Sequence, residues 1–203
     1  MSKAKLAIRI LDVLKPIAFL ILGIIFLFQS GCGRSGLAQL KQQLNDGDPD
    51  VRKSAAKGLE ELGANAAPAV HELGQSLNDA EPVVRYRSIK ALSKIGRPAS
   101  EVQEQIAEAL VSDSDQQIRY YAAKTIEQFA DEAVPVVGQL TKALTDDFDQ
   151  VRYYSAKALG KIGATASPAL KDLEKLLRDP NEDVRKSAES AIRRIEKKSG
   201  LQD

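Results

Sequence analysis

The chain holds one histidine, His71, and one cysteine, Cys32, so most histidine or cysteine chemistry is closed to it. A disulfide within the chain is excluded, and a metal site built from His and Cys would lack ligands. What recurs instead is recognition chemistry. All five tyrosines, Tyr86, Tyr120, Tyr121, Tyr153 and Tyr154, stand one or two residues after an arginine, and Lys90, Lys124 and Lys157 follow in the same segments. Tyrosine offers an apolar face with a polar tip at low entropy cost, and aromatic and arginine residues dominate binding hot spots. Together with Arg87, these residues form the candidate surface for a protein or peptide of acidic and apolar character. No cofactor, metal or small-molecule substrate is expected.

The elements that must position these side chains are written five times. DVRKSAAKGLEELG at 50–63, VVRYRSIKALSKIG at 83–96, QIRYYAAKTIEQFA at 117–130, QVRYYSAKALGKIG at 150–163 and DVRKSAESAIRRIE at 183–196 share one pattern. Their anchoring arginines, Arg52, Arg85, Arg119, Arg152 and Arg185, are 33, 34, 33 and 33 residues apart. A fixed period in this range means stacked supersecondary units, each too small to bury its own apolar face.

Counting from each arginine as zero, aliphatic residues stand at −1 and +7, a small residue at +3, and Leu62, Ile95, Phe129, Ile162 and Ile195 at +10. These offsets share one side of a 3.6-residue helix. The first and fifth offsets from the arginine, where Tyr86, Tyr120, Tyr153 and their lysines stand, fall nearly opposite and are expected to face solvent. A shorter helical pattern precedes each long one, as in PAVHELGQSL at 68–77 and PALKDLEKLL at 168–177. Pro68, Pro135 and Pro168 are expected in its first turn, and Ser100 with Gln103 forms a candidate capping box. Gly63, Gly96 and Gly163 read as left-handed C′ residues closing the long helices; Ala130 and Glu196 stand there in the third and fifth copies. The expected organisation is a repeat domain over 36–199, divided near 36–63, 64–96, 97–130, 131–163 and 164–199. Its polar ends, GLAQLKQQLN and RRIEKKSGLQD, suit terminal units.

An aspartate stands six residues before every anchoring arginine: Asp46, Asp79, Asp113, Asp146 and Asp179. The pairs Asp46 and Arg52, Asp79 and Arg85, Asp113 and Arg119, Asp146 and Arg152, Asp179 and Arg185 are expected to form a structural ladder, within a repeat or between neighbours, with the carboxylates also accepting turn N–H groups. These arginines are therefore not counted as a basic binding patch. Overall charge agrees: 29 basic against 28 acidic residues leave +1, which gives no global attraction for nucleic acid.

The first 32 residues differ in kind. Lys3, Lys5, Arg9 and Lys15 precede the apolar run Ile17–Phe28, and a small polar boundary follows. That order describes an export signal, and the run is short for a bilayer span of about 20 residues. Ser30-Gly31-Cys32 resembles the end of a bacterial lipoprotein signal, whose cysteine is acylated after cleavage, although Gln29 departs from the aliphatic residue usual there. The expectation is an extracytoplasmic, membrane-anchored protein of the cell envelope, lipidated at Cys32; an uncleaved N-terminal single-pass anchor is the alternative. The overlapping Gly31-Cys32-Gly33-Arg34-Ser35-Gly36 matches G-x-G-x-x-G, but no βαβ unit surrounds it.

The Asp, the Val-Arg six residues on, the Ala-x-x-Ala-Leu of SAKALGKIG and the proline opening the next helix together resemble HEAT repeats, in particular the short bacterial type also found in phycobilisome lyases. The resemblance implies an all-α fold, an α-solenoid of about five two-helix repeats forming a right-handed superhelix, with the longer helices on a concave face that binds macromolecules. At the usual helix spacing of about 8–10 Å, five units make a slab on the order of 45 Å long. It implies a non-catalytic interaction scaffold; a nucleic-acid-binding module, a phycobilin-lyase-like activity or its chaperone-type subunit, and a spacer without a distinct site remain alternatives. Deoxyhypusine hydroxylase, built of similar repeats, binds two irons through several His-Glu pairs, whereas this chain has the single pair His71-Glu72.

Overall fold

A computed structural model of the chain describes residues 36–199. The expected export signal and Cys32 lie outside the described residues. The described chain is helical, with no strand and no helix long and apolar enough to cross a membrane. Five shorter helices alternate with five longer ones: α1 (36–43), α2 (Pro49–Leu62), α3 (Val70–Gln75), α4 (Pro82–Ile95), α5 (Gln103–Ser112), α6 (Gln116–Gln128), α7 (Val137–Lys142), α8 (Asp149–Ile162), α9 (Leu170–Lys175) and α10 (Glu182–Ser199). Within the unit Leu40–Asp203, each long helix packs on the next long helix, and α4, α6, α8 and α10 each also pack on the short helix just before them. This is an α-solenoid.

The long helices start where the sequence can satisfy their free N–H groups. Asp48 and Asp115 accept from the backbone N–H two residues on, Asn181 accepts from Asp183, and Pro49 and Pro82 occupy first-turn positions that need no N–H. Gly63, Gly96 and Gly163 end α2, α4 and α8 at positive φ, but with ψ between −130° and −134°. The left-handed helical C′ geometry is therefore not adopted. The mirror image of extended backbone is, a region open essentially to glycine, and it turns the chain directly into the following 3₁₀ segment.

Two other local expectations are corrected. Pro68 and Pro168 lie inside the 3₁₀ segments Gly63–Ala69 and Ala164–Ala169, and Pro135 lies in Val134–Val136, one turn ahead of α3, α9 and α7. A proline supplies no N–H to the i−4 carbonyl, so regular α bonding begins only after it. Ser100 and Gln103 form no capping box. Ser100 sits within the 3₁₀ segment Arg97–Val102, α5 starts at Gln103 itself, and the Gln103 Oε1 is buried without a hydrogen-bond partner.

The core lies between the two helix layers. Val84, Ile118, Val151 and Val184, with Leu59, Leu92, Ile126 and Leu159 eight positions along, are fully buried, and the short helices contribute Leu73, Ile106, Leu140 and Leu173. Each such side chain adds about 1.5–3 kcal/mol of hydrophobic stabilisation. Phe129 fills the third unit where the others carry Leu or Ile. Burial weakens toward the ends of the stripe: Val51 and Ile192 are half-buried, and Leu62 is exposed. The middle long helices bury more than one stripe, because Ile89, Ala91, Ala123, Thr125, Ala156 and Ala158 are also inside. That wider burial decides how the tyrosines sit.

Candidate functional site: an aromatic row on the long helices

Each aspartate at the head of a long helix is held from two directions. The arginine of the preceding repeat reaches across: Arg52 Nε donates to Asp79 at 2.6 Å, and Arg85 to Asp113, Arg119 to Asp146 and Arg152 to Asp179 at 2.7 Å, each with a second Nη2 bond of 2.9–3.2 Å. The other carboxylate capacity takes the N–H two residues on, at 2.9 Å in all five turns. Each arginine also donates through Nη1 to the carbonyl of its own turn's aspartate at 2.7–3.0 Å. One guanidinium therefore bonds two successive turns. Bidentate pairing of this kind adds geometric specificity as well as energy. Arg52 draws the Asp79 carboxyl below the ordinary range. At Asp146 and Asp179 burial pushes upward, and the arginine and turn N–H bonds outweigh it. Among the described residues the ladder is incomplete at its ends: no arginine reaches the Asp46 carboxylate from a preceding repeat, and Arg185 bonds only the carbonyls of Asp179 and Pro180.

The tyrosines form a single row across α4, α6 and α8. Tyr86 meets Tyr121 at 5.8 Å between ring centroids, Tyr121 meets Tyr120 at 4.8 Å, Tyr120 meets Tyr154 at 5.6 Å, and Tyr154 meets Tyr153 at 5.0 Å. All four contacts are edge-on, the preferred geometry for aromatic pairs. The rings that step between helices follow one rule: the residue after the arginine touches the second residue after the next arginine. The expectation of rings turned fully to solvent is corrected, since all five are half-buried. Their helices are covered on both flanks by neighbours, so a position opposite the core stripe still meets the adjoining repeat. Burial raises the Tyr121 and Tyr154 hydroxyls, which keeps them neutral.

The lysines lie over these rings. Lys90 Nζ is 5.3 Å from the Tyr86 centroid and 5.7 Å from that of Tyr121; Lys124 covers Tyr120 and Tyr121, and Lys157 covers Tyr153 and Tyr154. Such contacts contribute about 0.5–1 kcal/mol at exposed sites.

Two buried carboxylates that the sequence reading did not single out change the charge of this face. Glu60, at the end of α2, is 5% exposed and takes Arg87 at 2.9 Å, Lys90 at 3.1 Å and Lys94 at 3.0 Å. Burial would raise its carboxyl, but the bonds from Arg87, Lys94 and Lys90 override that and hold it at about 2. Glu127, at the end of α6, takes Lys157 at 3.2 Å and Lys161 at 2.7 Å and is likewise held low against burial. Arg87, Lys90 and Lys157 are therefore each paired, but Glu60 offers one charge to three cations and Glu127 one to two, so the positive rim expected around the tyrosines shrinks without disappearing. Among the described residues only Lys124 of that set has no carboxylate in reach; its Nζ lies 3.5 Å from the Tyr120 hydroxyl. A signal was present in the sequence: glutamate stands eight residues after the first and third arginines, and the following copy in each case has lysine at both the fifth and ninth positions.

His71 is exposed on α3 and faces Glu101 at 3.2 Å, and the described residues contain no cluster of three potential metal ligands.

Comparison with known proteins agrees with this geometry. No curated protein matches the chain. Among solved structures, it is similar to an engineered protein (24% identity, TM-score 0.65, covering 78% of each chain). It is similar too to a designed armadillo repeat protein in complex with the peptide (KR)4 (20% identity, TM-score 0.68, 85% of each chain). A third match is the complex of CpcE and CpcF of phycocyanin lyase from Nostoc sp. PCC7120 (20% identity, TM-score 0.56, 77% of this chain and 98% of that one). At these identities the likeness is one of fold. The family model for HEAT repeats matches residues 37–102 and 103–193, each match spanning helices that the Asp–Arg ladder joins. The chain belongs to the HEAT repeat family.

Proposed function

We propose that the chain is a non-catalytic scaffold that docks a protein or peptide along the tyrosine row of its long helices, the face that would be concave in a solenoid of this family. The observation that carries this reading is the row itself: five rings on three successive helices, half exposed, in continuous edge contact. Half-exposed tyrosine gives contact area without much loss of side-chain freedom, because neighbours already fix the rings. The designed armadillo protein holds its (KR)4 peptide on a repeat array of the same fold. The partner's apolar character follows from the rings. Its acidic character rests on Lys124 and on the cations of the fifth repeat. One histidine and one cysteine leave little for catalysis.

A photo-reactive residue in place of Lys124, compared with one in place of Lys171 on α9, tests the docking face in native membranes. The reading expects protein adducts from the Lys124 site alone. Equal adducts from both sites, or adducts to nucleic acid at Lys124, would overturn it.

The membrane-anchored placement is proposed on the basic start, the apolar run and Ser30-Gly31-Cys32. Acyl chains add about 0.8 kcal/mol of membrane affinity per buried methylene. Intact-mass analysis of membrane fractions should show lipid mass that Cys32→Ala removes. Unchanged mass and unchanged membrane association in that variant would exclude lipidation and leave the uncleaved anchor.

A further inference from the structure

The tyrosine row stops at α8, and the position of its next ring is open. Between α4 and α6 the step is Tyr86 to Tyr121, and between α6 and α8 it is Tyr120 to Tyr154. Between α8 and α10 the same rule pairs Tyr153 with Ser187. Ser187 has no ring; its hydroxyl donates to the Tyr153 carbonyl at 3.1 Å. A groove of about 300 Å³ lies at this place, lined by Tyr153, Lys157, Gly160, Ser187, Lys186 and Arg194 among others.

The same boundary, like α4–α6 with its Ser93, lacks the carboxylate that α2–α4 and α6–α8 carry. Glu60 receives Lys94, and Glu127 receives Lys161, from the ninth position after the next arginine. Arg194 holds that ninth position in the fifth repeat, but the residue corresponding to Glu60 and Glu127 is Gly160. Among the described residues no carboxylate lies within ion-pair distance of Arg194. Three cations and the single acid Asp183 line the groove; Lys157 and Lys186 already pair with Glu127 and Glu182, which leaves Arg194 as the cation open to a ligand among the described residues.

We infer that the groove between α8 and α10 receives an aromatic side chain with a carboxylate beside it, supplied by an acidic peptide segment of the partner that carries tyrosine or phenylalanine. The ring takes the place that Tyr121 and Tyr154 take at the preceding boundaries, edge-on to Tyr153 near Lys157. The carboxylate takes the place of Glu127 and meets Arg194. The occupant's chemistry is thus set by what the chain uses at its α6–α8 boundary: an aromatic edge contact and a paired charge. Shape and charge select together, since Gly160 and Ala191 form a floor that admits a flat ring and the rim attracts its acidic neighbour. This rests on the scaffold reading and names one anchoring subsite within it.

The test uses the full chain in detergent micelles and three acetylated, amidated tripeptides: Glu-Tyr-Glu, Glu-Ala-Glu and Gln-Tyr-Gln. Amide chemical shifts of Gly160, Ser187, Ser190 and Ala191 report occupancy. Saturable shifts at these four positions are expected with Glu-Tyr-Glu. Removing either the ring or the acids should weaken binding about tenfold, the scale of one aromatic or one charge-assisted contact. Ser187→Tyr fills the groove from within and should abolish the shifts, and Arg194→Gln should erase the difference between Glu-Tyr-Glu and Gln-Tyr-Gln. Equal binding of the tyrosine and alanine peptides, undiminished binding to Ser187→Tyr, or shifts away from these positions would each overturn the subsite. If that happens while Lys124 still crosslinks to protein, the subsite falls and the scaffold reading stands. Loss of the Lys124 adducts with intact peptide binding would reverse that outcome.

Discussion

Where α6 meets α8, Tyr120 touches Tyr154 and Glu127 holds Lys157 and Lys161. Where α8 meets α10, the matching residues are Ser187 and Gly160, and the Ala191 backbone comes so near that a Cβ on Gly160 would stand 2.7 Å from its Cα. One boundary is filled by side chains and charge, the other by direct approach of two backbones. The turn edge is the same at both, since Arg119 and Arg152 reach Asp146 and Asp179 in matching geometry. The fold thus needs the ladder at every step and leaves the opposite edge free to vary. A partner can exploit only the part that varies.

The largest contrast lies between boundaries with and without a buried acid. Glu60→Gln keeps the shape but leaves Arg87, Lys90 and Lys94 crowded without a counter-charge. It should lower stability by about 3 kcal/mol, the low end for breaking a buried pair because the cations can turn toward water. Glu60 stays at about 2 in the folded chain against an ordinary 4.5. Its contribution, on the order of 3 kcal/mol, is therefore complete above about pH 4.5, fades as pH falls, and is gone below about pH 2. Denaturant titration across that window should show a steeper acid loss in the native chain than in the variant. Coincident curves would mean that the carboxylate contributes nothing. In a nearest-neighbour array the loss should centre on amides of α2 and α4.

A smaller contrast separates the middle of the ladder from its end. Asp146→Asn removes the charge that receives Arg119 while keeping an oxygen for the Phe148 N–H, and should cost about 2 kcal/mol. Asp46→Asn loses no arginine partner among the described residues and should cost less than about 0.5 kcal/mol. Equal losses would show that the turn bond, and not the bond between repeats, is what each aspartate supplies.

The 33-residue period, the two-helix unit and the aliphatic stripe were legible because repetition fixes the register five times over and 3.6-residue spacing fixes the face. The tyrosines and their lysines were legible as a group for the same reason. Their half-burial was not, because a helical wheel describes one helix in solvent, and α4, α6 and α8 are each flanked on two sides. Glu60 and Glu127 were missed because each forms its ion pairs with residues 27 to 34 positions away in the next copy, and reading the copies as equivalent hides an alternation between them. The prolines and glycines showed where the helices break but not the 3₁₀ turns or the unusual ψ values. Those depend on where the next helix has to start.

Glycine separates the two kinds of boundary more finely. Gly160→Ala must push α8 and α10 apart, because the atom in the way is backbone, and should cost about 2 kcal/mol. Gly138→Ala on α7, where a Cβ would meet nothing within 4 Å, should instead stabilise by about 0.5–1 kcal/mol. Thermal melts of the two variants should move in opposite directions. A parallel shift would mean that the α8–α10 approach is slack.

The smallest expected effect is a gain. Ser187→Tyr places a ring where the row of Tyr86, Tyr121, Tyr120, Tyr154 and Tyr153 would continue, and an edge-on contact with Tyr153 adds about 1 kcal/mol beyond its buried area. The serine's bond to the Tyr153 carbonyl is lost, worth about 1 kcal/mol at most, so the net gain depends on how much ring surface the groove buries. Slower hydrogen exchange in α8 and α10, with no change in α2 and α4, would show that the fourth boundary has become like the third. Exchange that quickens in α10 would show that the groove does not accept a ring from the chain itself, and the analogy between that boundary and the closed ones would be lost.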